Sequence, residues 1–169
     1  TQPEAATVLD DPRVTLVIDD GRRWLAANRN RRFDVVLMNT LIHWRSNASN
    51  LLSKEMFLLV RQHLKPGGHF SFNSTASMEA VRTAVETFPF AVRYGWQVIV
   101  SDAPFSVPVP ARIGALAEID FRDRSLASGS TKEEWRAELR KLAGSELIDL
   151  VPEWRQRTDV RYVTDDNMA

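Results

Sequence analysis

Short apolar runs alternate along the first hundred residues with stretches that are apolar on one side only. Three of these runs predict buried strands, over Val14–Ile18, Phe33–Met38 and His69–Asn73. Between them, residues 22–30 have helical spacing, and Ser53 has the chemistry of an N-cap before a second helix. The alternation of strand and helix with short links predicts an α/β fold with right-handed parallel crossovers.

A pair of strands follows, over Phe88–Arg93 and Trp96–Ser101, and they meet at Tyr94-Gly95. So short a link predicts an antiparallel hairpin at the end of the sheet. Beyond this hairpin the pattern becomes irregular and rich in proline. We therefore predict a truncated α/β domain over 1–104 and a helical or irregular extension over 105–169 that packs on it.

Composition narrows the class of protein. The 169 residues are 44% hydrophobic and carry 22 basic and 22 acidic side chains, which fits one globular domain and argues against a nucleic-acid partner. The absence of cysteine excludes disulfides, thiolate zinc sites and cysteine nucleophiles. No apolar run is long enough to span a bilayer. The residues from Thr1 onward lack the basic and apolar regions of a signal peptide, and the sequence does not begin with Met. We expect a segment of a longer protein that makes no membrane contact itself.

Polar residues follow the predicted strands at the edge where ligands bind in open parallel sheets. They are Asp19-Asp20-Gly21, Asn39-Thr40 and Asn73-Ser74-Thr75. A carboxylate at Asp20 can accept hydrogen bonds from a ligand, and Gly21 lets the backbone come close to it. The alternative is that Asp20 only caps the following helix, and both roles can coexist.

The segment from Asn39 to Asn50 is the densest polar and aromatic stretch in the chain. His43 is a candidate general acid or base, although a lone histidine beside Trp44 is more often a packed or surface residue. Arg45 is a candidate ligand for a carboxylate or phosphate, with a plain surface cation as the alternative.

A metal site is not expected. His63 falls in a helix and His69 begins a strand, and no acidic residue stands at ligand spacing from either. Asp165-Asp166 forms the nearest carboxylate pair, and we interpret it as a solvated turn. A Ser/His/Asp site is also unsupported, because no Gly-x-Ser-x-Gly turn is present.

The order and spacing of five motifs resemble the spermidine synthase family, including a variant found in bacterial synthase-like proteins that are in some cases fused to membrane segments. The motifs are Asp11-Pro12-Arg13-Val14, Asp19-Asp20-Gly21-Arg22, Phe33-Asp34-Val35-Val36, Leu51-Leu52-Ser53-Lys54-Glu55-Met56-Phe57 and Leu64-Lys65-Pro66-Gly67-Gly68. The resemblance covers the chain from Asp11 to Pro104. It implies a Rossmann-like, methyltransferase-type sheet and a cytoplasmic location, whether alone or as part of a membrane-fused protein.

The resemblance also implies an activity, the transfer of an aminopropyl group from decarboxylated S-adenosylmethionine to an amine. S-adenosylmethionine is the related donor for the alternative of a methyltransferase. Asp20 and Gly21 match the positions beside the adenine amino group. Asn39 stands at the position of the catalytic Asp, and Thr40 follows it in the cofactor pocket. The acceptor pocket would then use His43, Trp44 and Arg45, with His43 as a second catalytic candidate.

Two residues depart from the family pattern. Asn39 replaces the carboxylate that takes the amine proton, and Ile42 replaces a second carboxylate of the acceptor site. A diamine is dicationic and needs such carboxylates, so we expect an acceptor other than an ordinary polyamine. The alternative is a non-catalytic synthase-fold module for association or ligand sensing.

The glycine-rich loop and the first two strands of the family fold would precede Asp11. We therefore expect this chain alone to be catalytically silent and to hold no cofactor. Without those strands, Val14–Ile18 would lack a partner, and a buried strand cannot leave its backbone groups unpaired. We expect it either to move beside Phe33–Met38 or to pair with another chain in a homo-oligomer.

Overall fold

The structure is a computed structural model, and it describes residues 9–39, 49–95, 97–106, 108–117 and 132–167. Its strands are β1 (Phe33–Met38), β2 (Leu64–Asn73), β3 (Phe90–Tyr94), β4 (Gln97–Ser101) and β5 (Ile148–Asp149). They form one sheet in the order β1-β2-β4-β3-β5. The β1–β2 pair is parallel and the other three pairs are antiparallel. The predicted α/β class with its antiparallel hairpin is confirmed.

The helices of the described residues are α1 (Gly21–Ala27), α2 (Lys54–Gln62), α3 (Met78–Thr87), α4 (Val109–Ala117), α5 (Lys132–Gly144) and α6 (Val151–Trp154), with a 3-10 turn over Ser49–Leu51. The first three begin at side-chain caps. Asp20, Ser53 and Ser77 each accept a hydrogen bond from the backbone N–H three residues later, at 2.8, 3.2 and 3.1 Å. None of these helices combines the length and apolar character that crossing a membrane requires.

The core lies between one face of the sheet and helices α2 and α3. Phe70 and Phe72 on β2 are fully buried, and their ring centroids lie 5.3 and 4.8 Å from that of Phe57 on α2. Val98 and Val100 on β4 pair with these phenylalanines and extend the same face. Such offset and edge-on aromatic contacts hold α2 against β2.

The other face of the sheet is covered over only part of its width. His69 and Ser71 point to it because side chains alternate along β2, and they pair with Ser101 and Ile99 of β4. Helices α4 and α5 lie over this half. At β1, by contrast, Val35 and Leu37 on the same face remain 50% and 69% exposed.

β2 begins with an irregular stretch beside β1. The register shifts between Phe33 and Val35, and a Cβ placed on Gly68 would lie 2.9 Å from the Phe33 carbonyl oxygen. Only glycine therefore allows β1 to approach at this point. The sequence Lys65-Pro66-Gly67-Gly68 predicts the end of a helix that includes Leu64, but α2 ends at Gln62 and all five residues belong to β2.

The predicted strand over Val14–Ile18 is wrong. These residues form no strand and lie outside the sheet, with Leu16 66% and Ile18 93% exposed. β1 stands at the sheet edge, and the expectation that Val14–Ile18 moves beside it is also wrong. The β-branched composition gives a local preference, but a strand forms only where a neighbour accepts its backbone hydrogen bonds. Pairing with another chain stays a prediction.

The segment after α5 returns to the α/β part. Leu150 and Trp154 are buried in the core, and the Trp154 carbonyl accepts a hydrogen bond from Arg82 Nη1 at 2.8 Å. Further on, the Val163 carbonyl accepts from Lys54 N at 2.8 Å, and Val163 N donates to Thr83 Oγ1 at 2.8 Å. Residues 162–167 therefore lie across the start of α2 and the middle of α3, while the boundary between 1–104 and 105–169 stays a prediction.

Candidate functional site

A cavity of about 560 Å³ runs along β1, from Phe33 to Met38. Asp19, Asp20 and Gly21 form its polar part, and most of the remaining wall is apolar and comes from β1, α1 and α2. Among the apolar residues are Trp24, Val36, Met38, Leu51 and Met56. A mostly apolar cavity with a few convergent polar groups is the usual form of a small-molecule site.

Asp20 performs the capping role that we had considered for it. Its Oδ1 accepts from Arg23 N at 2.8 Å, while Oδ2 makes no hydrogen bond to the described residues. The cap fixes the direction of the carboxylate and leaves one oxygen for a ligand. At Gly21 an added Cβ would meet no atom within 4 Å, so protein packing leaves the space above its backbone open.

Asp19 is committed to contacts within its own segment. It accepts from Asp20 N at 2.7 Å and from Arg23 Nε at 2.8 Å, and it pairs with the Arg23 guanidinium. The hydrogen bond from Arg23 lowers the pKa of Asp19. A carboxylate with a lowered pKa is a weaker base, so Asp19 is poorly suited to take up a proton in a reaction.

Asn39 follows β1 directly and is exposed. Because Met38 pairs with Phe72, Asn39 and Asn73 come next to each other at the same edge of the sheet. The predicted edge is therefore formed by β1 and β2, while Asp20 approaches it from the start of α1 rather than from a strand.

The remaining predicted site residues are Thr40, His43, Trp44 and Arg45. They fall outside the described residues, so the cofactor role of Thr40, the catalytic role of His43 and the acceptor-pocket roles of His43, Trp44 and Arg45 stay predictions.

The turn after β2 has an unusual backbone. Thr75 and Ala76 have φ values of 51° and 63°, a left-handed conformation that residues with a Cβ rarely adopt. Thr75 N donates to Asn73 Oδ1 at 2.9 Å, which helps to hold this turn. Backbone strain of this kind is frequent at binding sites, and no sequence pattern here predicted it.

A polar network that the sequence did not reveal joins the rim of the cavity to residues far along the chain. Arg22 Nη1 donates to Asp165 Oδ1 at 2.9 Å, and Nη2 contacts the other carboxylate oxygen. Asp165 N donates to Glu55 Oε2 at 3.0 Å, and Arg22 Nη1 lies 3.3 Å from the Asn50 carbonyl. Asp165 and Asp166 form a turn, as expected, and Asp166 is exposed, but Asp165 is only partly solvated because its carboxylate forms this bidentate pair.

The contacts in this network stabilise the charged forms of Asp165 and Arg22. The hydrogen bonds from Arg22, and to a smaller degree from Ser53, lower the pKa of Asp165, while the carboxylate raises the pKa of Arg22. A contact between residues 143 positions apart leaves no periodic signal in the sequence.

The described histidines serve the structure in different ways. His63 is buried and its Nδ1 lies 2.9 Å from the Arg31 carbonyl oxygen. His69 lies on the second face of the sheet, away from the core. Within the described ranges, no three His, Asp or Glu side chains gather closely enough to hold a metal ion.

A comparison with known protein families assigns this chain to a family. The model of the spermine/spermidine synthase domain matches residues 2–118, well over half of the chain. The chain belongs to this family. The match spans α1, β1, α2, β2, the hairpin and α4, and therefore includes Asp20, Gly21 and Asn39.

Proposed function

We propose that the chain forms the nucleoside side of an aminopropyltransferase-like site whose donor is decarboxylated S-adenosylmethionine or a related sulfonium nucleoside. The observation that carries the proposal is Asp20 Oδ2, which accepts from no described residue, in a residue that lines a mostly apolar cavity of about 560 Å³. Membership of the spermine/spermidine synthase domain family supports the same assignment.

The cavity suits an adenine ring for two reasons. The exocyclic amino group of adenine is a donor, and Asp20 Oδ2 is an acceptor whose direction is fixed by the helix cap. The ring itself is flat and weakly polar, and Val36, Leu51 and Met38 supply an apolar wall against which it can lie. Open space above Gly21 allows close approach to the backbone.

The acceptor differs from an ordinary polyamine. A neutral amide at Asn39 neither attracts a dication nor takes up the proton that an attacking amine loses, and Ile42 offers only apolar surface. Among the described residues that line the cavity, Asp19 and Asp20 carry the only carboxylates; Asp19 is paired with Arg23, and the remaining oxygen of Asp20 is the one proposed for adenine. His43 is then the candidate base in the sequence.

We further propose that this chain by itself neither binds the donor with micromolar affinity nor turns it over. Its described residues provide one wall of a nucleoside site, and Gly21 is the sole glycine in that wall. The family resemblance implies that a glycine-rich loop forms the opposite wall of such a site.

A second candidate is a non-catalytic module of the same fold that associates or senses a ligand. Asn39 favours it, because loss of the carboxylate removes the proton acceptor while leaving the adenine contact at Asp20 intact. A sensor would therefore bind the nucleoside without transferring any group.

Calorimetry separates these proposals. Methylthioadenosine and decarboxylated S-adenosylmethionine are titrated into this chain and into a version extended upstream by native sequence. We expect binding only in the extended version, with Asp20→Asn weakening it by about tenfold or more, since asparagine keeps the cap but alters the acceptor. Asp19→Asn is the matched control, because it removes the same charge one residue away.

The outcomes are distinct. Binding with turnover of any amine supports the transferase, and binding without turnover supports the sensor. Absence of binding by the extended chain, or equal losses in the Asp20 and Asp19 variants, overturns the nucleoside assignment. Micromolar binding by the chain without extension contradicts the proposal that its site is incomplete.

A further inference from the structure

A second cavity, of about 670 Å³, lies on the other face of the sheet. Its floor is formed by β2 and β4, including His69, Ile99 and Ser101, and the segment Ala103–Ser106 closes one side. Helices α4 and α5 and the residues after α5 form the roof, through Arg112, Ala115, Ala143 and Leu147. This volume is in the range that accommodates a small organic ligand.

The described lining residues are mostly apolar, and none of them carries a negative charge. Arg112 contributes a guanidinium, and no Asp or Glu is among the described lining residues. The hydroxyl of Ser101 is already used, since it donates to the Gly68 carbonyl at 2.9 Å and accepts from Ala103 N at 3.0 Å. The Tyr94 hydroxyl donates to the Leu142 carbonyl. Arg112 is therefore the group that can select a ligand by charge.

Arg112 is incompletely satisfied by the protein. Its Nη1 donates to the Ser145 carbonyl at 3.1 Å, which ties α4 to the end of α5. Its Nε is shielded from solvent and donates to no described residue, and no described carboxylate pairs with the guanidinium. Of the five N–H donors of the guanidinium, the described residues therefore accept from only one, at Nη1, and a ligand in the cavity would meet the group through its remaining Nη N–H groups.

We propose that this cavity binds a small amphiphilic carboxylate, with its anionic head on Arg112 and its hydrocarbon or aryl body against Ile99, Phe105 and Leu147. An arginine presents its N–H groups in a geometry that matches a carboxylate, which explains the choice of head group. The apolar floor and roof explain the body, because burying hydrocarbon there removes it from water.

This site is separate from the nucleoside cavity. The two cavities share no described lining residue: the nucleoside cavity runs along β1 and α1, whereas this one lies over β2 and β4. Part of its roof, in α5, also lies beyond the residues 2–118 that match the synthase domain. Binding here does not depend on the function proposed for the first cavity.

The test uses three probes with one hydrocarbon chain and different head groups: octanoate, 1-octanol and octylamine. Each is titrated into the chain by calorimetry, and the His69 ring resonances are followed by NMR. We expect octanoate to bind saturably, to shift the His69 resonances, and to bind about tenfold or more tightly than the alcohol and the amine. Arg112→Gln should abolish this preference, whereas Arg136→Gln, at an exposed arginine on α5, should leave it unchanged.

A second variant keeps the test decisive if Arg112→Gln does not fold. Ala115 is exposed at the cavity rim, so Ala115→Trp should fold normally, fill the space and weaken octanoate binding by about tenfold or more. Thermal unfolding monitors both variants. Equal affinity for octanoate and 1-octanol, full binding by either variant, or no saturable octanoate binding at millimolar concentration would overturn the proposal.

Discussion

Replacing Asp165 with asparagine removes the charge from the pair that joins α1 to residues 162–167. Arg22 and Asp165 are about one third exposed, at 29% and 35% of their side chains. A hydrogen bond to a charged partner contributes about 1.5–3 kcal/mol when shielded, and an exposed ion pair about 0.2–1 kcal/mol. After discounting for solvent screening, we expect Asp165→Asn to lower the free energy of unfolding by about 1 kcal/mol.

For a chain of this size, that loss corresponds to a fall in Tm of about 2–4 °C, measured by thermal unfolding at pH 7 and low salt. The Asp165 backbone N–H, which bonds Glu55, is unaffected by the substitution. Asp159→Asn is the control. Asp159 pairs with Arg157 at the surface with 65% of its side chain exposed, and we expect no measurable change in Tm.

The effect has a defined pH dependence. Because Arg22 lowers the pKa of Asp165 in the folded state, the pair stabilises the fold above the unfolded Asp pKa of about 3.9. That stabilisation is lost as pH falls through the lower folded-state pKa. The Tm difference between the wild type and Asp165→Asn should therefore be constant from pH 5 to 7 and shrink below pH 4. A Tm equal to the wild type at pH 7, or a difference that persists unchanged at pH 3, would refute the reasoning.

Two further predictions concern packing beside β1 and association between chains. Gly68→Ala should lower the free energy of unfolding by about 1–3 kcal/mol, because the added Cβ would lie 2.9 Å from the Phe33 carbonyl oxygen. Gly21→Ala is the control, since its Cβ meets no atom within 4 Å and Tm should stay nearly unchanged. Denaturant titration of both variants measures these losses, and equal losses would contradict the prediction. We also propose that the chain forms a homo-oligomer through Val14–Ile18, where Ile18 is 93% exposed. Sedimentation should show a dimer or larger species that Ile18→Lys converts to monomer, and a monomeric wild type at high concentration would disprove this association.

Local features were predictable from the sequence. Ser53 was expected to cap α2, and Met56 and Phe57 were expected on its inner face, because caps and helical periodicity depend on residues within two turns. The hairpin was predictable for a similar reason, since Tyr94 and Gly95 leave room only for a tight reversal.

Features that depend on distant partners were not predictable. Val14–Ile18 has strand composition, but no neighbour is present in the described sheet to accept its hydrogen bonds. Asp165 looked like part of a solvated turn because its partner, Arg22, is 143 positions away. At Thr75 the left-handed backbone is set by tertiary structure, since residue type alone disfavours it.

The contacts of residues 162–167 with α1, α2 and α3 have a consequence for folding during synthesis. Lys54 N lies in the first turn of α2, where the helix offers no acceptor, and it donates to the Val163 carbonyl instead. The Arg22 guanidinium pairs with the Asp165 carboxylate. A nascent polypeptide on the ribosome can thus form β1, β2 and the hairpin early, yet the contacts of Arg22 beside the candidate site stay unmade until Asp165 has emerged. A premature stop between Trp154 and Asp165 would release a protein that has all five strands but lacks these contacts.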